Sequence, residues 1–292
     1  MRRGNGKEES QRGEENMKRR EQLIIVRGAG DIATGTIHRL VRCGYPVLAL
    51  ETASPSAIRR RAAFSEAVYD GRTQVEGIAC VKAESLGEAF EIMKRGEAAV
   101  MTDPECRVLE RIRPWALVDA VLAKKNLGTN RGMAAKTIAL GPGFTAGEDV
   151  DLVIETMRGH NLGRIIQQGC AMANTGVPGI IAGFGKERVI YSPAAGRLHC
   201  LADIGDVVTA GQAVAVVEKD GVRTPVYTAI SGLVRGMLRE GYPVKERLKM
   251  ADVDPRESQK DNCFTISDKA RCIAGSVLEG LLYLEARDDL PG

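Results

Sequence analysis

The stretch IIVRGAGDIATG, Ile24 to Gly35, decides how the chain is read. The apolar run from Gln22 to Val26 suits a strand buried on both faces of a parallel sheet. It enters Gly28-Ala29-Gly30-Asp31-Ile32-Ala33, a G-x-G-x-x-A turn. Ile32, Ile37, Leu40 and Val41 then recur at helical spacing, and Gly44 ends the helix. PVLAL supplies a second strand, closed by Glu51, which stands 21 positions after Gly30. Each part has a physical reason. Gly28 permits the tight turn, Gly30 lets an anion approach the backbone, and Ala33 is small enough for close helix–strand packing. The helix start offers free N–H groups and a positive dipole end. Glu51 falls where a ribose hydroxyl would be bound. Asp31 is unhelpful beside a phosphate unless it points away or holds a metal. The unit reads as Rossmann-type, holding a dinucleotide, another phosphorylated ligand, or nothing.

The same rhythm continues. Ser54 suits an N-cap with Pro55 at the first helical position. The consecutive Arg59, Arg60 and Arg61 either face a 2′-phosphate or another anion, or form a solvated basic face. VEGIACVK reads as a strand, ESLGEAFEIMKRG as a helix, EAAVMTDP as a strand, Glu105 to Ile112 as a short helix and WALVDAVLA as a strand. KTIALGPGF follows as a strand and EDVDLVIET as a helix. Polar clusters follow several strands, and in a doubly wound sheet the carboxyl ends of the strands share one edge. Lys124, Lys125 and Asn126 in AKKNLGT suit a phosphate or carboxylate, or form a solvated loop. Gly141 and Gly143 in GPGFTAG either cradle a second anion or make a plain tight turn. The cofactor-binding candidates are therefore Gly28, Ala29, Gly30, Asp31, Glu51, Lys124, Lys125, Asn126, Gly141 and Gly143. No catalytic residue is marked. His160 between Arg158 and Arg164 either moves a proton or is structural, and no nucleophile pairs with it in sequence.

Composition narrows the classes. The 292 residues suffice for two domains, and a net charge of +3 with 4% aromatics argues against nucleic acid or an acidic membrane as partner. No run of about 18 apolar residues occurs. The seven cysteines form no C-x-x-C and read as mostly buried thiols of a reducing cytoplasm. Three histidines make a histidine-rich metal site unexpected. Residues 1–21 are polar throughout, lack a signal-peptide h-region and read as a disordered tail.

The expected fold class is α/β, a Rossmann-like parallel sheet with helices on both faces over 22–188. From Tyr191 the pattern changes. The phrase P-x-x-G…G-D-x-V-x-x-G-x-x-x-A-x-V, and later G-L-V-R…G-Y-P-V, resemble a small all-β biotinyl/lipoyl-like module, placed at 189–256. A carrier lysine would stand 11 positions before Gly232, where Gly221 is found. Lys219 is two positions away and lacks flanking methionines, so no covalent biotin or lipoate is expected. Over 257–292, Ser267 suits an N-cap, and Ala270, Ile273, Ala274, Val277, Leu278, Leu281 and Leu282 form the apolar face of a helix that packs back or joins a second copy.

Several phrases together resemble one family: RGAGDIATG, FSEAVYDG, VDAVLAKKNLGT, GPGFTAGEDVD, ETMRGHNLGRII, NTGVPG and CFTISDKAR. Over about residues 22 to 285 the chain is similar to the YqeB-type proteins of the selenium-dependent molybdenum hydroxylase system, related to XdhC-type maturation factors. The resemblance implies an accessory or maturation factor whose cofactor is a dinucleotide, either NAD(P) or molybdopterin cytosine dinucleotide. It implies a molybdenum hydroxylase or its maturation proteins as partners, with a homo-oligomer possible. It brings no assigned catalytic residues. An NAD(P)-dependent oxidoreductase and a non-catalytic scaffold docking hydroxylase partners are the alternatives.

Overall fold

The computed structural model describes Arg19 and residues 21–288, so the expected tail lies, but for Arg19 and Glu21, outside the described residues. The apolar run folds as β1 (Ile24–Arg27), and its side chains divide between two cores. Ile24 and Val26 face one side and Ile25 the other. Burial on both faces, at about 1.5–3 kcal/mol per large apolar side chain, is what holds such a strand at the centre of a sheet.

Nine strands form the main sheet. After β1 they are β2 (Val47–Glu51), β3 (Arg72–Val75), β4 (Ile78–Lys82), β5 (Ala98–Thr102), β6 (Ala116–Asp119), β7 (Lys136–Leu140), β8 (Leu152–Ile154) and β9 (Ile165–Ile166). Their order is β9-β8-β7-β6-β1-β2-β5-β4-β3. The inner strands run parallel, while β3 and β9 close the two edges antiparallel. Helix α1 (Asp31–Arg42) and the long C-terminal helix α3 (Asp268–Asp288) cover one face, and α2 (Leu86–Lys94) covers the other. Ala270, Ile273, Val277 and Leu281 of α3 share the core with Ala33, Ile37 and Leu40 of α1. The seam between the two helices is close: a methyl on Gly35 would sit 2.8 Å from the Ala270 carbonyl oxygen.

Several expectations are corrected. EDVDLVIET is not a helix; Leu152–Ile154 is a buried strand, because a short apolar run fits a helix or a strand until its neighbours are known. VEGIACVK is the second half of a hairpin, with Arg72–Val75 in front and the turn at Glu76-Gly77. Ser54 and Pro55 start no α-helix; the segment behind them contains only 3-10 turns at Arg60–Ala62 and Phe64–Glu66 and one helical turn at Ala67–Asp70. The short helix expected over Glu105 to Ile112 is a 3-10 turn, Arg107–Glu110. NTGVPG lies in an exposed stretch with no regular structure.

The β-rich half forms two four-stranded antiparallel sheets around one core. One runs β10-β17-β15-β12, from β10 (Val189–Tyr191), β12 (Val207–Val208), β15 (Gly232–Met237) and β17 (Lys249–Asp254). The other runs β14-β13-β11-β16, from β11 (Gly196–Cys200), β13 (Ala213–Lys219), β14 (Val222–Tyr227) and β16 (Pro243–Val244). Segment 58–70 fastens this half to the main sheet. The Met237 N–H donates to the Ile58 carbonyl at 2.8 Å. Arg60 and Arg61 pair with Asp203, and Arg239 pairs with Glu66 and Asp70.

The expected fold class, a Rossmann-like parallel sheet with a small biotinyl/lipoyl-like module, is therefore corrected. The chain builds one large mixed sheet and several small antiparallel ones. The segments joining β5 to β6, β6 to β7 and β7 to β8 carry 3-10 turns and loops in place of crossover α-helices. Among the described residues no helix is long and apolar enough to cross a membrane.

Candidate functional site

The parallel strands bring their carboxyl ends to one edge. After β1, the turn Gly28–Asp31 is held by Glu51, whose Oε2 accepts the Ala29 N–H at 2.8 Å and whose Oε1 accepts the Thr52 N–H at 2.7 Å. Both carboxylate oxygens of Glu51 thus face backbone N–H groups. Gly30 caps α1 without a side chain, and a methyl there would meet no atom within 4 Å, so the helix start opens onto free space. Asp31, in the first turn, pairs with Arg59 at 3.5 Å.

Arg59 is a site residue that sequence reasoning did not separate from its neighbours. It is 8% exposed. Its Nη2 donates to the carbonyls of Asn262 and Thr265 at 2.9 and 2.8 Å, while Nε and Nη1 are buried without a hydrogen-bond partner. Burial pushes its guanidinium below the usual arginine range, against the pull of Asp31. Arg60 and Arg61 are engaged by Asp203, away from the turn.

The loop after β6 rests on a buried pair. Asp119 accepts from Arg27 Nη1 at 3.3 Å, Thr129 Oγ1 at 2.6 Å and the Val121 N–H at 3.1 Å. Asn126 folds the loop from within: its Oδ1 accepts the Gly128 and Thr129 N–H groups, both at 2.8 Å, and its Nδ2 donates to the Thr129 carbonyl. Lys124 and Lys125 are exposed and have no hydrogen-bond or ion-pair partner among the described residues. The GPGF turn tucks under them. At Gly143 φ is +109°, and a Cβ would lie 2.6 Å from Lys125 Cα. Gly141 faces the Thr156 hydroxyl. Asp103 accepts the Arg107 and Val108 N–H groups and organises the 3-10 turn after β5.

Two further groups at this edge escaped the sequence. Glu155, 3% exposed, follows β8 and accepts the Met157 and Met172 N–H groups at 2.7 and 2.8 Å. Lys269 sits in the first turn of α3, half-buried, beside the Ser267 cap whose hydroxyl accepts the Ala270 N–H. Its amine is pushed below the ordinary lysine range by burial first and then by Arg158, with Asp31, Glu155 and Asp268 pulling back. Asp268 itself is held far below the usual carboxylate range by its bidentate pairing with Arg158 at 2.7 and 2.8 Å. One signal in CFTISDKAR could have flagged Lys269: a lysine in a helix's first turn opposes the dipole.

His160 is exposed. Lys219 ends β13 at the hairpin that contains Gly221. Cys80, Cys106 and Cys263 are buried, Cys43 and Cys200 partly so, and Cys170 and Cys272 are exposed. Burial pushes the Cys106 and Cys200 thiols up to about 11. Among the described residues no three potential metal ligands group together. A shallow cavity of about 320 Å³ lies elsewhere, lined by Cys106, Ile112, Arg113 and Met133 among others, and by none of Arg59, Lys124, Lys125, Glu155 and Lys269.

No family model matches the chain. Among solved structures, it aligns over 79% of its length with the product-bound ectoine utilization protein EutE (DoeB) of Ruegeria pomeroyi, at 12% identity, 52% coverage of that chain and a TM-score of 0.22. It aligns over 80% with an aspartoacylase family protein of Mesorhizobium loti, at 12% identity, 84% coverage of that chain and a TM-score of 0.26. A succinylglutamate desuccinylase/aspartoacylase of Rhodobacter sphaeroides gives 80% and 85% coverage at 14% identity and a TM-score of 0.26. At these scores no activity is carried over from them.

In sequence, the chain is 48% identical over 264 residues to the uncharacterized protein YqeB of Escherichia coli K12. That alignment covers 90% of this chain and 48% of the relative, so the chain spans about half the length of the curated relative it matches. The relative's name gives no link to selenium, molybdenum or XdhC-type factors. The expected role in molybdenum hydroxylase maturation, with its oxidoreductase and scaffold alternatives, is corrected: the relative's name carries no such role, and three of the solved chains that align bear aspartoacylase or desuccinylase names.

Proposed function

We propose that the edge between the first turns of α1 and α3 is a binding crevice for a small anionic molecule. Arg59 carries the reading. Its Nε is buried without a polar partner, and its Nη1 meets only the Asp31 carboxylate, at 3.5 Å and outside hydrogen-bond geometry, beside a helix start that has no side-chain cap and faces open space. An unsatisfied buried donor costs about 1–3 kcal/mol, more when charged, so a phosphate or carboxylate oxygen supplied by a ligand is the natural complement. The free N–H groups of α1 add to the same field. Lys124 and Lys125 add mobile positive charge from the neighbouring loop. Glu51, Asn126, Gly141 and Gly143 shape the two loops in this reading, Gly30 presents backbone to the ligand, and the Gly28 and Ala29 N–H groups hold the turn through the Leu50 carbonyl and Glu51. Asp31 is compatible because its charge is offset by Arg59.

The test is calorimetry with inorganic pyrophosphate. Saturable binding is expected for the natural chain, with affinity falling about tenfold or more in Gly30→Val and in Arg59→Lys, as loss of a charged hydrogen bond implies. Circular dichroism checks that both variants stay folded. No saturable binding of pyrophosphate by the natural chain, or equal binding by both folded variants, rejects the crevice.

A further inference from the structure

We infer that Lys269 is the reacting amine of this crevice, condensing with the carbonyl group of an anionic oxo compound. The inference rests on the anion crevice proposed above. Its geometric basis is the prior engagement of the three carboxylates that act on the amine, Asp31, Glu155 and Asp268. Asp268, next to it in the helix, is held by both nitrogens of Arg158. Glu155 accepts two backbone N–H groups. Asp31 faces Arg59. Lys269 is left without a hydrogen bond or ion pair among the described residues, although it is half-buried. Its backbone is fixed, because the next residue, Ala270, is packed against Gly35 at the seam of α1 and α3.

Burial, the Arg158 cation and the positive end of α3 all disfavour the ammonium form. An amine that gives up its proton more readily than an exposed lysine, beside an anion cradle, suits a substrate with both a carbonyl and a negative charge, such as an oxo acid or a phosphorylated aldehyde. In the step, the Nζ lone pair forms a bond to the carbonyl carbon and the C=O π pair moves to oxygen. The oxygen takes up both amine protons in turn, relayed by solvent or by Asp31, and leaves as water. An imine remains and its hydrolysis reverses the step, with no change of oxidation state.

Glyoxylate, an aldehyde bearing a carboxylate, is the probe, with cyanoborohydride to reduce the imine to a stable carboxymethyl amine and peptide mass spectrometry to locate it. The expected result is preferential modification of Lys269 with a pH midpoint below that of the exposed lysines, and slower modification when pyrophosphate is added. Lys269→Arg, checked for folding by circular dichroism, should lose that adduct alone. Modification spread evenly over the surface lysines, or a Lys269 profile matching theirs, overturns the inference. Saturable pyrophosphate binding without selective labelling removes the amine and leaves the crevice. Selective labelling without pyrophosphate binding removes the crevice, and with it the anion-directed form of the inference.

Discussion

Arg27 and Asp119 stand opposite each other on β1 and β6, 5% and 2% exposed. Two charges leave water there, and hydrogen bonds from Thr129 and to the Pro104 carbonyl complete the set. Such a pair adds little over an apolar one, but losing one partner strands the other. Asp119→Ala is therefore expected to lower stability by about 3–5 kcal/mol. Urea unfolding followed by circular dichroism measures it, and a loss under about 1 kcal/mol would show that the loop after β6 relaxes to hydrate Arg27. The same residue-scale logic separates the two polar classes at the edge. Glu51, Asn126 and Asp119 have their polar atoms satisfied within the fold, whereas Arg59, Lys124, Lys125 and Lys269 keep donors free.

Among the elements, the seam of α1 and α3 sets the crevice. Gly35 admits the Ala270 backbone, so the first turns of the two helices arrive close to the same edge. Gly35→Val would put Cβ 2.8 Å from a backbone oxygen, and overpacking of this kind costs about 1–3 kcal/mol. The expected outcome is a lower thermal midpoint together with weaker pyrophosphate binding, since α3 must move away and take Lys269 and the Arg59 contacts at Asn262 and Thr265 with it. A stability loss with pyrophosphate affinity unchanged would mean that α3 does not help to shape the crevice. The strand–turn–helix unit at Ile24 to Arg42 forms where its periodicity puts it. The helix expected at EDVDLVIET does not form, because Leu152, Val153 and Ile154 are surrounded on both sides by sheet neighbours and cores that only the fold supplies.

Across the whole molecule, segment 58–70 is the clasp between the main sheet and the β-rich half. Arg239 holds the Asp70 carboxyl below its usual range by hydrogen bonding. Asp203 is also held low: burial opposes this, but the Ile204 N–H and Arg61 outweigh it. A depressed carboxyl adds stability that is present above its unfolded pKa of about 4 and is lost as pH falls through the folded value. Glu66 acts in the opposite sense, because burial raises it, and offsets part of the effect. The clasp should therefore loosen as pH falls below about 4, through the depressed values of Asp70 and Asp203, and hold at about pH 6. Hydrogen exchange across segment 58–70 and the strands that touch it is the measurement. Lower protection factors, taken relative to the intrinsic amide exchange rate at each pH, are expected at the lower pH, and Arg239→Ala should already show lower protection near pH 6. Equal protection at both pH values would show that the apolar contact of Ile58 with Gly236 holds the halves together without the ion pairs.

Local pattern determined the elements whose signals are local. These are the buried strand at Ile24, the glycine turn, the start of α1 at Gly30, and the apolar stripe of α3 from Ala270 to Leu281. Tertiary structure decided which charged groups meet. Arg59 reaches carbonyls 203 and 206 residues away. Lys269 comes within electrostatic reach of Asp31 and Glu155 only because α3 returns across the sheet to pack on α1. Helical and strand periodicities extend over a few residues and say which side chains share a face. They carry no information on which faces pack together. That is settled by the fit of Gly35 to Ala270 and of the apolar faces around it, so the candidate crevice could be read only after the chain had folded.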